Sequence, residues 1–503
     1  MLPVVVLAAV AALLLSPGLV SGPSLDAAIF TYAAERVTEG ARLYADVWDH
    51  KPPGAYLVYA VFQFVLPFLS PWAVTWLISV VVTALTGATV MAAVQRVGVS
   101  PGAALFAAVG VVGAMSQYLT ALGGGLTEPL ATLPACVALV LAVAPGMNWR
   151  RSMVIGVFLS AALLTSLILL PGVLAIAAMT LARPGTLLDR VERAMAGVVG
   201  GLLAGVAVIG QLYLLGVLPE ALDAVVRYAS AYRESGGEFA AALSGSLATW
   251  STLSYLFLII PAALGILVAF RGDERRRIEA MACVAWIGLA IFAFAYQGRF
   301  YAHYVIPLAV PLGLLAGMGF QRLRVVRRRR GSELARLPLY APFLLAFGIS
   351  LVAGTAGARL ELLPIHFRHV RSVATAETIR ELTQPSDTIF VWGNSTQLYL
   401  DADRRAPVPY VYLYPLTTPG YSRPARISAA LAGMEADPPR LVIDAGSHAP
   451  GAGGFLPLLV DRPVGTDGRT LDLLDPIRDF VRDNYEEVTR DSGWIVYALR
   501  TSG

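Results

Sequence analysis

Charge is scarce in this chain. Only 14% of its 503 residues are Asp, Glu, Lys or Arg, 56% are hydrophobic and the mean hydropathy is +0.65, whereas a soluble domain carries about 25% charged residues. That shortage excludes an ordinary water-soluble enzyme and puts the chain in a bilayer. Lysine is almost missing: Lys51 stands alone, and every other basic side chain is arginine. The net charge of +4 does not point to nucleic acid, because most arginines lie in short stretches between apolar runs, where they report topology. Cysteine is nearly absent too. Cys136 and Cys283 both fall inside apolar stretches, so no disulfide framework braces whatever lies outside the membrane. No Lys or Arg precedes the apolar run at 2–20, so it lacks the basic leader of a cleaved signal peptide and is read as an uncleaved first span.

What the chain does have is long apolar runs. A membrane helix needs about 20 apolar residues, and such runs fall at 2–20, 72–95, 102–118, 127–144, 195–216, 253–270, 279–296, 304–321 and 338–357. Two further segments are ambiguous. The stretch 54–70 follows Pro52-Pro53-Gly54, and the long run 152–182 is interrupted at Pro171-Gly172. If 54–70 lies along the outer surface and 152–182 makes two short spans turning at Pro171-Gly172, the Arg-rich loops 271–277 and 322–330 both face inward; changing either choice alone turns both outward. The positive-inside rule therefore selects about 11 transmembrane helices, with the N-terminus cytoplasmic. The expectation is a polytopic α-helical, multi-pass protein of the cell membrane.

This topology gathers four segments on the extracytoplasmic face: the loop 21–53, the short loop 119–127, the loop 297–303 and everything after 358. They carry most of the polar residues that topology does not explain. After about residue 365 the composition turns charged and proline-containing, with strand-like runs at Thr388–Trp392, Leu441–Ile443 and Trp494–Leu499 and helix-like stretches at Ala374–Leu382 and Leu471–Asn484. The expected division is a transmembrane part at 1–360, including a first outer loop 21–71 with surface helices, and an extracytoplasmic α/β part at 361–503. Asp444 and Gly446 follow an expected strand as loop residues commonly do. His366, His369 and His448 are too scattered to argue for a metal.

The stretch 21–56 carries the most chemistry. Ser24 is placed to cap a helix over Leu25–Val37 that ends at Gly40, with Asp26 in its first turn. Alone, Asp26 would simply complement the helix dipole. Asp46, Asp49, His50 and Lys51 follow, and together these side chains near lipid head groups suit an anionic lipid. A lysine at an interface often only snorkels toward phosphates, but a lone lysine in an arginine-rich chain argues for a specific phosphate contact, since the two cations bind phosphate differently. Glu128 sits at the start of a span after Gly123-Gly124-Gly125 and Thr127, where helix capping is the plain alternative. In 297–304, Arg299 and His303 stand beside Phe300, Tyr301 and Tyr304, which could equally form an interfacial aromatic belt.

The succession LDAAIFTYAAERVTEGARLYADVWDHKPPGAY, then LTEPL, then GRFYAHYVIPLAVPL resembles the GT-C membrane glycosyltransferases of the protein O-mannosyltransferase and aminoarabinose transferase superfamily, glycosyltransferase family 39-like. The resemblance covers the spans, the first outer loop and the position of a C-terminal extracytoplasmic part; the first-loop motif is its most specific element. It implies that Asp26, matching the acidic residue of the first outer loop, acts at the reaction centre, and that Lys51-Pro52 matches a Lys-Pro pair that contacts the lipid phosphate. Two departures stand out. Asp26 is a single carboxylate where mannosyltransferase relatives often carry an acidic pair, which weakens a metal site there, and His50 occupies the place of a Glu in the aminoarabinose enzymes, which bears on the sugar. No metal ligands are assigned; a divalent cation, Mg or Mn, is the one cofactor left open.

The implied reaction moves a sugar, with inversion, from a polyprenyl-phosphate donor to a hydroxyl of a lipid, glycan or protein acceptor. It needs a base, here Asp26, and positive charge at the departing phosphate, here Lys51 with Arg299. Asp49, His50, Glu128, His303 and Tyr304 complete the substrate and phosphate contacts. The rival is a transporter or flippase for a lipid-linked envelope precursor. That class places ionisable residues near the bilayer midplane and often shows repeats; here the middles of the spans are nearly free of charge and no convincing repeat is present. A catalytically inactive relative that binds lipid or scaffolds an envelope complex is a third reading.

Overall fold

The computed structural model describes residues 1–21, 24–234, 236–239, 241, 243–244, 253–298, 301–330, 372–446, 458–459, 473–491 and 494–500. The expected span 338–357, Arg299, Phe300 and the histidines at 366, 369 and 448 lie outside them. Among the described residues, Pro71–Arg96, Leu187–Leu214, Glu274–Tyr296 and Ala302–Leu323 are long and apolar enough to cross a membrane, and shorter apolar helices run over Leu2–Leu15, Gly54–Val65, Pro101–Ser116, Thr127–Val143, Leu167–Ala182 and Tyr255–Phe270.

Local signals set these helices. Pro71 opens its helix, where its missing N–H is no loss, and the Ser70 side chain accepts from Ala73 N at 3.2 Å. Thr186 and Asp189 cap Leu187–Leu214 reciprocally. Outward, that helix exposes Leu188, Leu203, Val206 and Leu214, a face suited to lipid. Inward it has glycine: a Cβ on Gly200 would fall 1.9 Å from the Met153 carbonyl, and in the Ala302–Leu323 span one on Gly319 would lie 2.0 Å from that of Pro261. With no hydrophobic drive between helices in lipid, such close backbone approach is what dispersion packing requires.

The run 152–182 is broken as expected, but not at Pro171-Gly172. One helix ends at Leu163, a short 3-10 turn covers Leu167–Leu169 and the next helix starts at Leu170. Pro171 falls in a first helical turn, which it tolerates. The break also has a use: the Leu164 carbonyl accepts Gly54 N at 2.7 Å, and a Cβ on Gly54 would lie 2.5 Å from Thr165 Oγ1. The start of the Gly54–Val65 helix is thereby fixed against it.

The later residues contain a four-stranded sheet: β1 (Ile389–Trp392), β2 (Leu441–Asp444), β3 (Tyr485–Asp491) and β4 (Trp494–Leu499), in the order β1-β2-β4-β3. β1 and β2 are parallel, with Ile389 opposite Leu441, and the other pairs are antiparallel. β3 was not anticipated. Its sequence is charged because it is an edge strand, paired with β4 alone and irregular at Glu487/Thr489. Period-two alternation sends Phe390, Trp392, Val442 and Tyr497 to a core with Ile427, Met434, Ile477 and Val481. The opposite face, with Ile389, Val391, Ile443 and Val496, shares a core with Tyr32, Trp48 and Tyr56 of the first loop region. Tyr32 Oη accepts from Ala406 N at 3.0 Å, Pro409 O accepts from Trp48 N at 2.9 Å, and Asp401 accepts from Trp72 Nε1 at 2.9 Å.

Candidate active site

The helix over Leu25–Thr38 begins as its sequence suggests, with the Ser24 hydroxyl accepting from Ala27 N at 3.1 Å and Gly40 at φ +95° beyond its end. Asp26 is half-buried in the first turn. Gly123, Gly124 and Gly125 all have positive φ, a conformation that side chains resist. A Cβ on Gly125 would lie 2.3 Å from that of Ala27, so this loop rests on the turn that carries Asp26. It leads directly into the helix that starts at Thr127 and carries Glu128, which is 1% exposed.

Opposite Glu128 stands Lys51. Its Nζ is 4.0 Å from Glu128 Oε1, and its carbonyl accepts from the Tyr44 hydroxyl at 2.8 Å. Both line a cavity of about 250 Å3 whose walls also include His50, Arg233, Gln297 and Tyr304. Ser166, Leu167 and Ile168, at the break described above, form another wall. Residues scattered from 50 to 304 thus meet at one place.

The cavity sorts the expected residues. Lys51, His50, Glu128 and Tyr304 line it. Asp26, Asp49 and His303 are not among its lining residues. His303 is 5% exposed, its ring stacked on Tyr301 at 5.5 Å and edge-on to Tyr304 at 5.0 Å. Arg299 falls outside the described residues. Arg233, which no sequence motif marks, also lines the cavity, its guanidinium 5.0 Å from the Tyr296 ring centroid. A π-helical turn over Asp223–Tyr228 precedes it, and such turns frequently mark functional sites; no sequence pattern signals one.

Asp49 is enclosed behind the cavity wall. Expected among the substrate contacts, it is 1% exposed and its oxygens are taken: Tyr56 and Tyr412 donate to it, and His50 Nδ1 lies 3.0 Å from Oδ1. Burial pushes its carboxyl up, but the neighbouring His50 charge and the hydrogen bonds from His50, Tyr412 and Tyr56 outweigh that and hold it at about 2. Burial and Asp49 together push the Tyr56 and Tyr412 hydroxyls well above their ordinary range, so both remain donors. Among the described residues no group of three or more His, Cys, Asp or Glu side chains could hold a metal ion.

The fold is similar to that of a solved membrane transferase, ArnT from Cupriavidus metallidurans. Against its apo structure the TM-score is 0.63 at 14% identity, covering 98% of this chain and 97% of that one. Against ArnT bound to undecaprenyl phosphate it is 0.61 at 16% identity, covering 99% and 98%. The oligosaccharyltransferase AglB from Archaeoglobus fulgidus, in complex with an inhibitory peptide and a dolichol-phosphate, gives 0.48 at 14% identity, over 88% of this chain and 69% of that one. No family model and no curated sequence matches the chain.

Proposed function

We propose that this protein is an inverting membrane glycosyltransferase that takes a sugar from a polyprenyl-phosphate donor and passes it to an acceptor hydroxyl on the extracytoplasmic face. The observation that carries the reading is the cavity where Lys51 and Arg233 stand near the buried Glu128. Two cations facing a space beside apolar helices suit a phosphate presented from a lipid. The ArnT complex with undecaprenyl phosphate supports the same choice of donor. The proposed topology has about 11 spans and a cytoplasmic N-terminus, with 1–360 as the transmembrane part and 361–503 outside.

In the proposed reaction the bond from the anomeric carbon to the phosphate oxygen breaks and its electron pair stays on the phosphate, while the acceptor oxygen attacks from the opposite face. The transition state is oxocarbenium-like, so catalysis needs positive charge at the leaving group and a base at the attacking hydroxyl. Lys51 and Arg233, joined by Arg299, supply the charge. Asp26 takes the hydroxyl proton, and Glu128 and Tyr304 orient the substrate. His303 supports Tyr304 from behind.

The test follows loss of radiolabelled sugar from a panel of polyprenyl-phosphate sugars in membranes containing wild type or Asp26→Asn. Transfer by the wild type and a loss of about 1,000-fold in a normally folded Asp26→Asn support the reading. Equal turnover by both removes Asp26 as the base, and no turnover of any donor removes the transferase assignment and favours lipid transport.

A further inference from the structure

Asp49 and His50 are neighbours in sequence but differ in what they face. Asp49 is enclosed, with no wall on the cavity, while His50 stands in front of it and lines the cavity beside Lys51. An ionised carboxylate only accepts hydrogen bonds, so Asp49 fixes a proton on His50 Nδ1, 3.0 Å away. Among the described residues the other ring nitrogen, Nε2, has no hydrogen-bond partner. The ring centroid lies 4.9 Å from that of Tyr228 and 6.0 Å from that of Tyr232, and aromatic faces with a carboxylate behind are surroundings suited to a cation. The Tyr412 hydroxyl, which also donates to Asp49, is 3.4 Å from His50 Nδ1.

Building on the lipid-phosphate reading above, we propose that His50 binds as the doubly protonated ring, its Nδ1–H held by Asp49 and its Nε2–H donating to the lipid phosphate beside Lys51 and Arg233. Asp49 orients this ring without touching substrate. Tyr412, which comes from the region around the sheet, completes the support and gives that distant part of the chain a share in the site. The neighbourhood is fastened independently of this contact: Asp223 accepts from Tyr421 Oη at 2.6 Å and from Arg426 Nη2 at 3.0 Å. Removing the Tyr412 hydroxyl therefore loosens the His50 support while the docking persists. The titratable and charged groups facing His50 are Asp49, Tyr412, Tyr228 and Tyr232 around its ring and Lys51, Glu128 and Arg233 across the cavity.

The experiment uses the full-length protein in phosphatidylcholine nanodiscs and measures binding of undecaprenyl phosphate between pH 5.5 and 8.5. The ionisation of the phosphate enters the curves of all variants, whereas that of the imidazole enters only where His50 is present. The expected result is that wild-type affinity falls with rising pH more steeply than that of His50→Gln, whose amide is a donor that does not titrate. At pH 6.5, His50→Ala binds about 10-fold more weakly, as for one lost hydrogen bond to a charged group; His50→Gln recovers most of that loss, and Asp49→Asn and Tyr412→Phe lie between. Superimposable pH curves for wild type and His50→Gln, or wild-type binding by His50→Ala while Lys51→Ala fails to bind, overturn the assignment of His50 and leave the lipid-phosphate reading standing. Absence of binding by the wild type at every pH overturns both.

Discussion

The helix Thr127–Val143 has a buried glutamate near each end, and the two are treated differently. At its C-terminal end Glu279, 0% exposed, receives Arg183 Nη2 and Arg275 Nε at 3.0 Å each. The same arginines bind the last carbonyls of the helix, Arg183 at Ala142 and Arg275 at Val143. At its N-terminal end Glu128 has, among the described residues, only the Thr127 hydroxyl at 3.3 Å and Lys51 at 4.0 Å as side-chain partners, and both charged residues line a cavity. The ends are roughly 25 Å apart at 1.5 Å per residue. One charge group is paired with two arginines through Glu279 Oε1 and holds helices together, with Oε2 buried and unpartnered among the described residues. The other keeps spare valence for something that is not protein.

The sharpest way to break this comparison is to remove the glutamate that two arginines share. Glu279→Ala leaves Arg183 buried without its counter-charge and is expected to lower stability by about 3 to 5 kcal/mol, read as a fall in the thermal midpoint in detergent. Lys51→Ala is the reciprocal experiment: we expect kcat/KM to drop about 100-fold, roughly 2.7 kcal/mol of transition-state stabilisation, with the thermal midpoint unchanged. Lys51→Arg should restore only part of the activity, because a planar guanidinium does not replace a compact ammonium. A large stability loss in Lys51→Ala would mean that the pair with Glu128 is structural after all.

Smaller effects come from two carboxylates with opposite shifts. Asp49 is held at about 2, below its ordinary 3.8, so its contribution of about 2 kcal/mol is fully present above about pH 4 and is lost as pH falls toward 2. Wild type should exceed Asp49→Asn in thermal midpoint at pH 7 and converge with it near pH 2. Glu35 is pushed up to about 7, first by burial and then by the nearby Asp403. The folded state keeps that proton longer than the unfolded state, so stability falls as pH rises from about 4.5 to about 7. Glu35→Gln should therefore be more stable than wild type at pH 8 and equal to it at pH 4. The smallest effect belongs to Arg42→Ala: its pair with Asp46 at 2.9 Å is exposed, and such pairs contribute little, so activity and thermal midpoint should not change measurably.

Much of this was legible beforehand where the signal is local. Ser24 as a cap, Gly40 as a stop, and apolar runs at β1, β2 and β4 all sit where residue chemistry alone puts them. The break in 152–182 was visible as a need for two helices, but its position depended on where Gly54 docks, a contact across about a hundred residues. β3 escaped because an edge strand facing water carries no apolar alternation. In the site, Lys51 and Glu128 could be chosen by rarity and by placement at a helix start. Arg233 could not, since a basic residue in an outer loop looks the same whether it faces solvent or a cavity.

The sequence by itself determined the medium and the chemical vocabulary: scarce charge demands lipid, and one lysine among arginines, beside an aspartate and a histidine, marks the first loop. These follow from composition and from spacing over a few residues, which act without knowledge of the fold. Only the tertiary structure decided the roles. Asp49 and His50 are adjacent in the chain, yet one is enclosed by Tyr56 and Tyr412 and the other faces the cavity. The physical reason is that burial is a property of three-dimensional surroundings: a tyrosine more than three hundred residues away settles which of two neighbouring side chains meets water or substrate.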